Sequence, residues 1–334
     1  MRRFLIFLLL FYPVICSALD DACTKPDEYK IERRCYVDDN MWQKAPYKYV
    51  LKMYSKSKDR VFCAANMVSG KIVTAKHCLE NDQVSDIEFI AFDGKKISVK
   101  NNDYVMGTGD FRYNDYEDWA VLTPISEDSE FVINNSINDT ASFDVGDYWA
   151  DGSFISTGCG QLKILSDKEI EAFKKAYLEY LEEHAEELRG SFLSDNEMTD
   201  HKQTIKISSI KALLKADAYF SKYGFTVKDI FWDQNNLKAS VCDSVGVSFN
   251  NIMNTSCKAF CGDSGGGIYQ TTNNQQAKNN LVSDTFCDDN SCRFTGVAHS
   301  GHTKTISSNP EKHVVEEMTY VGLHDDFKKA LQKN

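Results

Sequence analysis

Cys261-Gly262-Asp263-Ser264-Gly265-Gly266-Gly267 is the stretch on which the reading of this chain turns. Glycine tolerates positive φ and lets a backbone come close to a bound molecule. The N–H groups of Gly262 and Ser264 can then aim at one point, where an oxygen gaining negative charge would be stabilised. A serine hydroxyl is a weak nucleophile until a neighbouring base takes its proton. The stretch therefore demands a histidine elsewhere, with an acid behind it. Thr74-Ala75-Lys76-His77-Cys78 and Asp118-Trp119-Ala120-Val121-Leu122 supply both. His77 and Asp118 lie 41 residues apart. Asp110, Asp115 and Glu117 compete for the acid's role, but Asp118 alone opens a D-x-A-x-L pattern whose alternate residues bury a strand beside a carboxylate.

The chain has 334 residues, 42% hydrophobic and 26% charged, with a net charge of −11. Such a length can bury one large core or two smaller ones. The acidic balance argues against nucleic acid as a partner, whose binding rests on a basic surface.

Arg2 and Arg3 precede an apolar run from Phe4 to Ile15, followed by Cys16, Ser17 and Ala18. Charged start, short apolar run and small residues are the marks of an export signal, with cleavage expected after Ala18. The run is too short to span a bilayer. The expectation is a soluble monomer, secreted or periplasmic, with no stable membrane insertion.

Of 11 cysteines, loss of Cys16 leaves 10, an even number that suits disulfides in an oxidising compartment. Cys63 and Cys78 form the best-supported pair, stapling the strand before His77 to the turn that carries it. Cys287–Cys292 would close a hairpin tip, and Cys23–Cys35 is compatible. Partners for Cys159, Cys242, Cys257 and Cys261 stay open.

Residues 47–125 read mostly as short strands: 47–54, 61–62, 67–68, 72–74, 87–92 and 96–99, the last two joined by an Asp93-Gly94 turn. Strands at that spacing indicate a barrel or sandwich. The pattern then turns helical. Ser166-Asp167-Lys168-Glu169 is a capping box, and Ile170, Phe173, Tyr177, Leu181 and Leu188 follow at helical steps up to Gly190. A second helix is expected from Ile207 to Tyr223. Strand patterns return at 239–241, 246–249, 267–269 and 294–298, and 324–332 reads as a closing helix.

Together, His77 in T-A-K-H-C, Asp118 in D-W-A-V-L and Ser264 in G-D-S-G-G resemble the chymotrypsin-like (trypsin-type) serine proteases, in that family's chain order. The resemblance covers about 47–125 and 238–331. It implies an all-β fold of two six-stranded antiparallel β-barrels, here with an inserted α-helical hairpin and a C-terminal helix. The corresponding division is a signal at 1–18, an extension at 19–46, a first barrel at 47–160, an insertion at 161–235 and a second barrel at 236–334. It implies a secreted serine endopeptidase acting on protein or peptide substrates through an acyl-enzyme, with His77, Asp118 and Ser264 catalytic and Gly262 and Ser264 forming the oxyanion hole. No cofactor is implied. The alternatives are a catalytically silent homologue used as a binding module, and a serine esterase on the same triad.

The resemblance also suggests a specificity pocket. Lys258, six residues before the nucleophile, stands at the pocket's base. His299-Ser300-Gly301 resembles the His-Trp-Gly wall of glutamyl endopeptidases, where the histidine contacts a substrate carboxylate. Both favour an acidic residue on the acyl side of the scissile bond (P1). Glu316, near another wall position, opposes them by pairing with Lys258. His299 and His302 have zinc-like spacing without a companion metalloprotease motif, so no metal is expected. The chain departs from the family at Lys76, at Gly267 and in lacking an Ile-Val-Gly-Gly start near residues 30–40. Activation by cleavage is therefore not implied, and Asp263 needs another partner.

Overall fold

A computed structural model describes residues 35–80, 84–108, 115–142, 154–159, 236–242, 244–247, 252–255, 257, 263–272, 286–304 and 315–333; at 35, 115, 242, 244–247, 300–304 and 315–318 it describes the backbone alone. The expected signal, the expected helical hairpin at 161–235, Cys23, Lys258, Cys261 and Gly262 lie outside the described residues.

In chain order the strands are β1 (Cys35–Tyr36), β2 (Val50–Ser55), β3 (Arg60–Val68), β4 (Lys71–Thr74), β5 (Ile87–Ile90), β6 (Lys96–Ile97), β7 (Val99–Met106), β8 (Ala120–Pro124), β9 (Phe154–Gly158), β10 (Lys238–Cys242), β11 (Ser244–Val247), β12 (Ile252–Thr255), β13 (Gly267–Thr271), β14 (Cys292–Lys304) and β15 (Val315–Gly322). The helices are α1 (Asp39–Trp42), α2 (His77–Glu80), α3 (Ser126–Asn134) and α4 (Asp325–Gln332). One antiparallel sheet has the order β6-β5-β2-β3-β4-β8-β7, the other β1-β10-β9-β13-β14-β15-β12-β11. The sheets thus hold seven and eight strands where two sixes were expected. The surplus comes from short pieces, among them the two-residue β1, which pairs with β10 through Cys35↔Ala239.

Side chains alternate across a strand, and here each face has its own destination. On β3, Cys63, Ala65 and Met67 enter a core with Leu51, Ile72 and Leu122, inside the first sheet. Ala64 and Val68 face the other way, into a layer shared with Tyr269, Val297 and Val321 of the second sheet. The second sheet does the same: Ile268, Ala298 and Tyr320 fill its own interior, and their neighbours Tyr269, Val297 and Val321 enter the shared layer. Among the described residues there are thus two sheet interiors and one apolar layer between them. Chain segments that border this layer from both sides carry the site.

Sequence signals explain local features. Gly94 takes φ +80 in the β5–β6 hairpin, and Asp93 Oδ1 accepts from the Lys95 N–H at 2.9 Å, so the Asp-Gly turn forms as expected. The Cys63–Cys78 and Cys287–Cys292 disulfides are present, and Cys257 is also disulfide-bonded. On α4, Phe327 stacks on Trp119 with ring centroids 4.8 Å apart, closing the shared layer beside Asp118. Among the described residues no helix is long and apolar enough to cross a membrane.

Candidate active site

His77 opens the single-turn helix α2, directly after β4. Two devices hold that turn. The Cys63–Cys78 disulfide, with Cα atoms 6.2 Å apart, ties it back to β3. Lys76 Nζ donates to the Gly107 carbonyl at 2.9 Å, so the lysine that departs from the family pattern fastens the turn to the segment after β7.

Asp118 sits just before β8 and is fully buried. Its Oδ1 accepts from the His77 backbone N–H at 2.9 Å, and its Oδ2 meets His77 Nδ1 at 2.7 Å. With an ionised carboxylate there, Nδ1 carries the proton and Nε2 keeps its lone pair, the tautomer a general base needs. Of the competing acids, Glu117 is occupied elsewhere: its Oε2 accepts from the Thr108 N–H at 2.9 Å.

A third donor reaches Asp118. His299 Nδ1 also hydrogen-bonds Oδ2. His299 is only 8% exposed. It lies where the β14–β15 register shifts between Ala298 and Ser300, so it is the extra residue of a bulge. A bulge of this kind re-aims a side chain. The pocket role implied for His299 therefore has to share that side chain with Asp118. Burial pushes the Asp118 pKa up, but the hydrogen bonds from His299 and His77 outweigh it and bring the carboxyl down to about 2.

His77, Asp118 and His299 also converge as three potential metal ligands. The His77 Nδ1–Asp118 Oδ2 separation is 2.7 Å. Tetrahedral ligands about 2.0–2.1 Å from a zinc ion stand farther apart than that. The spacing is that of proton-bridged pairs.

Ser264 is half-buried in the turn between Asp263 and β13. Four consecutive carbonyls of this loop each receive a donor. The Ala64 N–H reaches Ser264 O at 2.9 Å, and the Ala298 N–H reaches Gly266 O at 2.8 Å. Asn66 Nδ2 reaches Gly265 O at 2.8 Å, and Thr157 Oγ1 reaches Gly267 O at 3.2 Å. Two donors come from each sheet. Gly265 has φ +75, and a Cβ there would lie 2.2 Å from Thr74 Oγ1 and 2.3 Å from Ala64 O. The loop thus rests against Thr74 and Ala75, the residues that lead to His77. Among the described residues Ser264 Oγ makes no hydrogen bond to His77; such bonds are often loose until substrate arrives.

Asp263 is buried, with its carboxylate over Gly158, where a Cβ would meet Oδ1 at 2.4 Å. Gly301 and Glu316 lie on β14 and β15, Gly301 opposite Met318 and Glu316 opposite Thr303. Sequence reasoning misses the His299–Asp118 contact and the donor role of Asn66. The first rests on a bulge and the second on a cross-sheet approach, and neither leaves a local motif.

No protein-family model matches the chain, and no curated protein matches it. Among solved structures it is similar to the protease Anisep from Arthrobacter nicotinovorans, with a TM-score of 0.43 at 11% identity over 86% of this chain and 96% of that one. It is similar to the thermostable serine protease AL20 from an extremophilic microorganism, at 0.40 and 10% over 85% and 95%. It is also similar to a Glu endopeptidase, at 0.42 and 10% over 92% and 97%. All three likenesses are distant.

Proposed function

We propose that this chain is an exported serine endopeptidase acting through His77, Asp118 and Ser264. The observation that carries the reading is the His77–Asp118 pair, bonded through both carboxylate oxygens, with the Ser264 loop docked on the segment that leads into His77. In the proposed cycle Ser264 Oγ attacks the scissile carbonyl while His77 Nε2 takes its proton. The carbonyl electron pair moves onto oxygen, towards the N–H groups of Gly262 and Ser264. The C–N bond breaks as His77 returns the proton to the leaving amine. Water then repeats the sequence on the acyl-enzyme and releases the acid. Asp118, with its low pKa, stays ionised throughout and stabilises the imidazolium.

An acidic P1 preference belongs to the same proposal. Lys258 and His299 are its sources of positive charge, and with His299 Nδ1 on Asp118, Nε2 is the atom that would meet a substrate carboxylate. Best cleavage after Arg, Lys or Phe in a peptide panel overturns that preference. Export is read by N-terminal sequencing, with Leu19 expected as the first residue of the mature protein.

The deciding experiment is labelling of the mature protein with a fluorophosphonate, with Ser264→Ala as control. Labelling of the wild type alone supports the nucleophile. Absence of labelling favours a binding module. If Ser264 labels, hydrolysis of esters without peptides would make the protein an esterase instead.

A further inference from the structure

Asn66 is a polar residue in the middle of β3, fully buried in the layer between the two sheets. A strand that otherwise buries apolar residues has no propensity reason to hold asparagine there. Such a side chain is kept only if its amide is bonded on both ends, and here it is. Nδ2 donates to Gly265 O at 2.8 Å and, more weakly, to Val73 O at 3.4 Å. Oδ1 accepts from the Tyr269 hydroxyl at 2.8 Å. The amide orientation follows from its partners: two carbonyls accept only, so the NH₂ must face them. Burial, with Tyr49 nearby, pushes the Tyr269 pKa well up, so its hydroxyl remains a donor.

The chain makes room for this arrangement. A Cβ on Gly267 would lie 2.4 Å from Asn66 Oδ1 and 2.6 Å from the Tyr269 ring. Gly267, Tyr269 and Asn66 therefore form one device across the two sheets. It bonds the carbonyl directly after the nucleophile, next to the carbonyl of Ser264 that the Ala64 N–H holds.

We propose that Asn66, oriented by Tyr269, is a positioning residue that fixes the Ser264 loop on the sheet carrying His77 and Asp118. This rests on Ser264 being the nucleophile. Among the described residues, main chain at Ala64 also bonds the loop to the first sheet, so Asn66 is a side-chain tie whose removal leaves the backbone of β3 in place. Losing it lets the loop shift relative to the base, and a shift of about 1 Å at a reacting atom costs up to about a hundredfold in rate.

The test uses mature wild type, Asn66→Ser, which is too short to reach Gly265 O, and Tyr269→Phe, which keeps the ring and removes only the hydroxyl. Each is followed by peptide kinetics, by the second-order rate of fluorophosphonate labelling and by thermal melting. Asn66→Ser is expected to lower kcat and the labelling rate together, about ten- to a hundredfold, with KM unchanged. Tyr269→Phe should lower both by roughly three- to tenfold. If Asn66→Ser does not fold, Tyr269→Phe decides. A folded variant that labels as fast as wild type, or loses only in KM, overturns the proposal. A wild type that does not label overturns the nucleophile reading itself, and Asn66's role with it.

Discussion

The two halves of the site are held by different means. On the histidine side the fastenings are side chains and a covalent bond: the Cys63–Cys78 disulfide, Lys76 on Gly107, and three donors on the Asp118 carboxylate. On the serine side the loop is held through its own carbonyls, from Ser264 to Gly267, with glycines where a side chain would collide. An imidazole must be held in one tautomer, and the buried Asp118 carboxylate, accepting from Nδ1, does that while also stabilising a positive ring. A nucleophile on a tight turn needs its backbone immobilised, and main-chain acceptors suffice. The first half is therefore sensitive to charge and redox state, the second to volume.

Replacing Asp118 with Asn is the hardest blow to the charge-held half. The amide can donate to Nδ1 and select the wrong tautomer, so kcat is expected to fall by about 10⁴ with the fold retained. Intact activity in that variant would show that the acid lies elsewhere. Opening the Cys63–Cys78 link, with a sequence separation of 15, should lower unfolding free energy by about 3 kcal/mol. Denaturant melts of the Cys63→Ser/Cys78→Ser protein measure it, and an unchanged midpoint would show that the turn holds without the link. The volume-held half is probed by Gly265→Ala. A methyl against Thr74 Oγ1 and Ala64 O, at φ +75, should cost about a hundredfold in kcat and much less if the loop is slack.

Acid titration separates the halves next. The Asp118 pKa in the folded protein lies below the ordinary aspartate value of 3.8, at about 2. The unfolded state therefore takes up its proton first. The carboxylate's stabilisation is complete above pH about 4 and is lost as pH falls through about 2, a change of about 2 kcal/mol. Urea melts between these limits should show it, and Asp118→Asn should erase it. The smallest effect is expected from His299→Leu, which removes one of three donors. A loss of about tenfold in kcat/KM is expected, and a gain in activity would mean that His299 competes with His77 for Oδ2.

Much of this is legible in the residues. The short patterns around His77, Asp118 and Ser264 lead to residues that the fold places on facing segments, and the Asp93-Gly94 turn carries its own geometry. Other parts are not. The exposed Lys100-Asn101-Asn102-Asp103 run of β7 is absent from the expected strands, because a strand facing solvent lacks the apolar alternation that marks one. Helix α3 leaves no clear period because only Asp128 and Val132 of its nine residues are buried. The seven- and eight-stranded sheets exceed the expected sixes through pieces too short to show a period. His299 reads as a substrate contact, and the structure also joins it to Asp118, because a one-residue bulge cannot be read from composition.

Trp119 follows Asp118 and is nearly inaccessible, with the Phe327 ring of α4 lying flat against it at an interplanar angle of 10°. During synthesis, residue 327 leaves the ribosome long after the first sheet has emerged. Until then the indole beside Asp118 lacks the Phe327 ring. The wall next to Asp118, the acid of the proposed triad, is finished by one of the later segments, so a nascent or C-terminally nicked chain should carry an unfinished wall there.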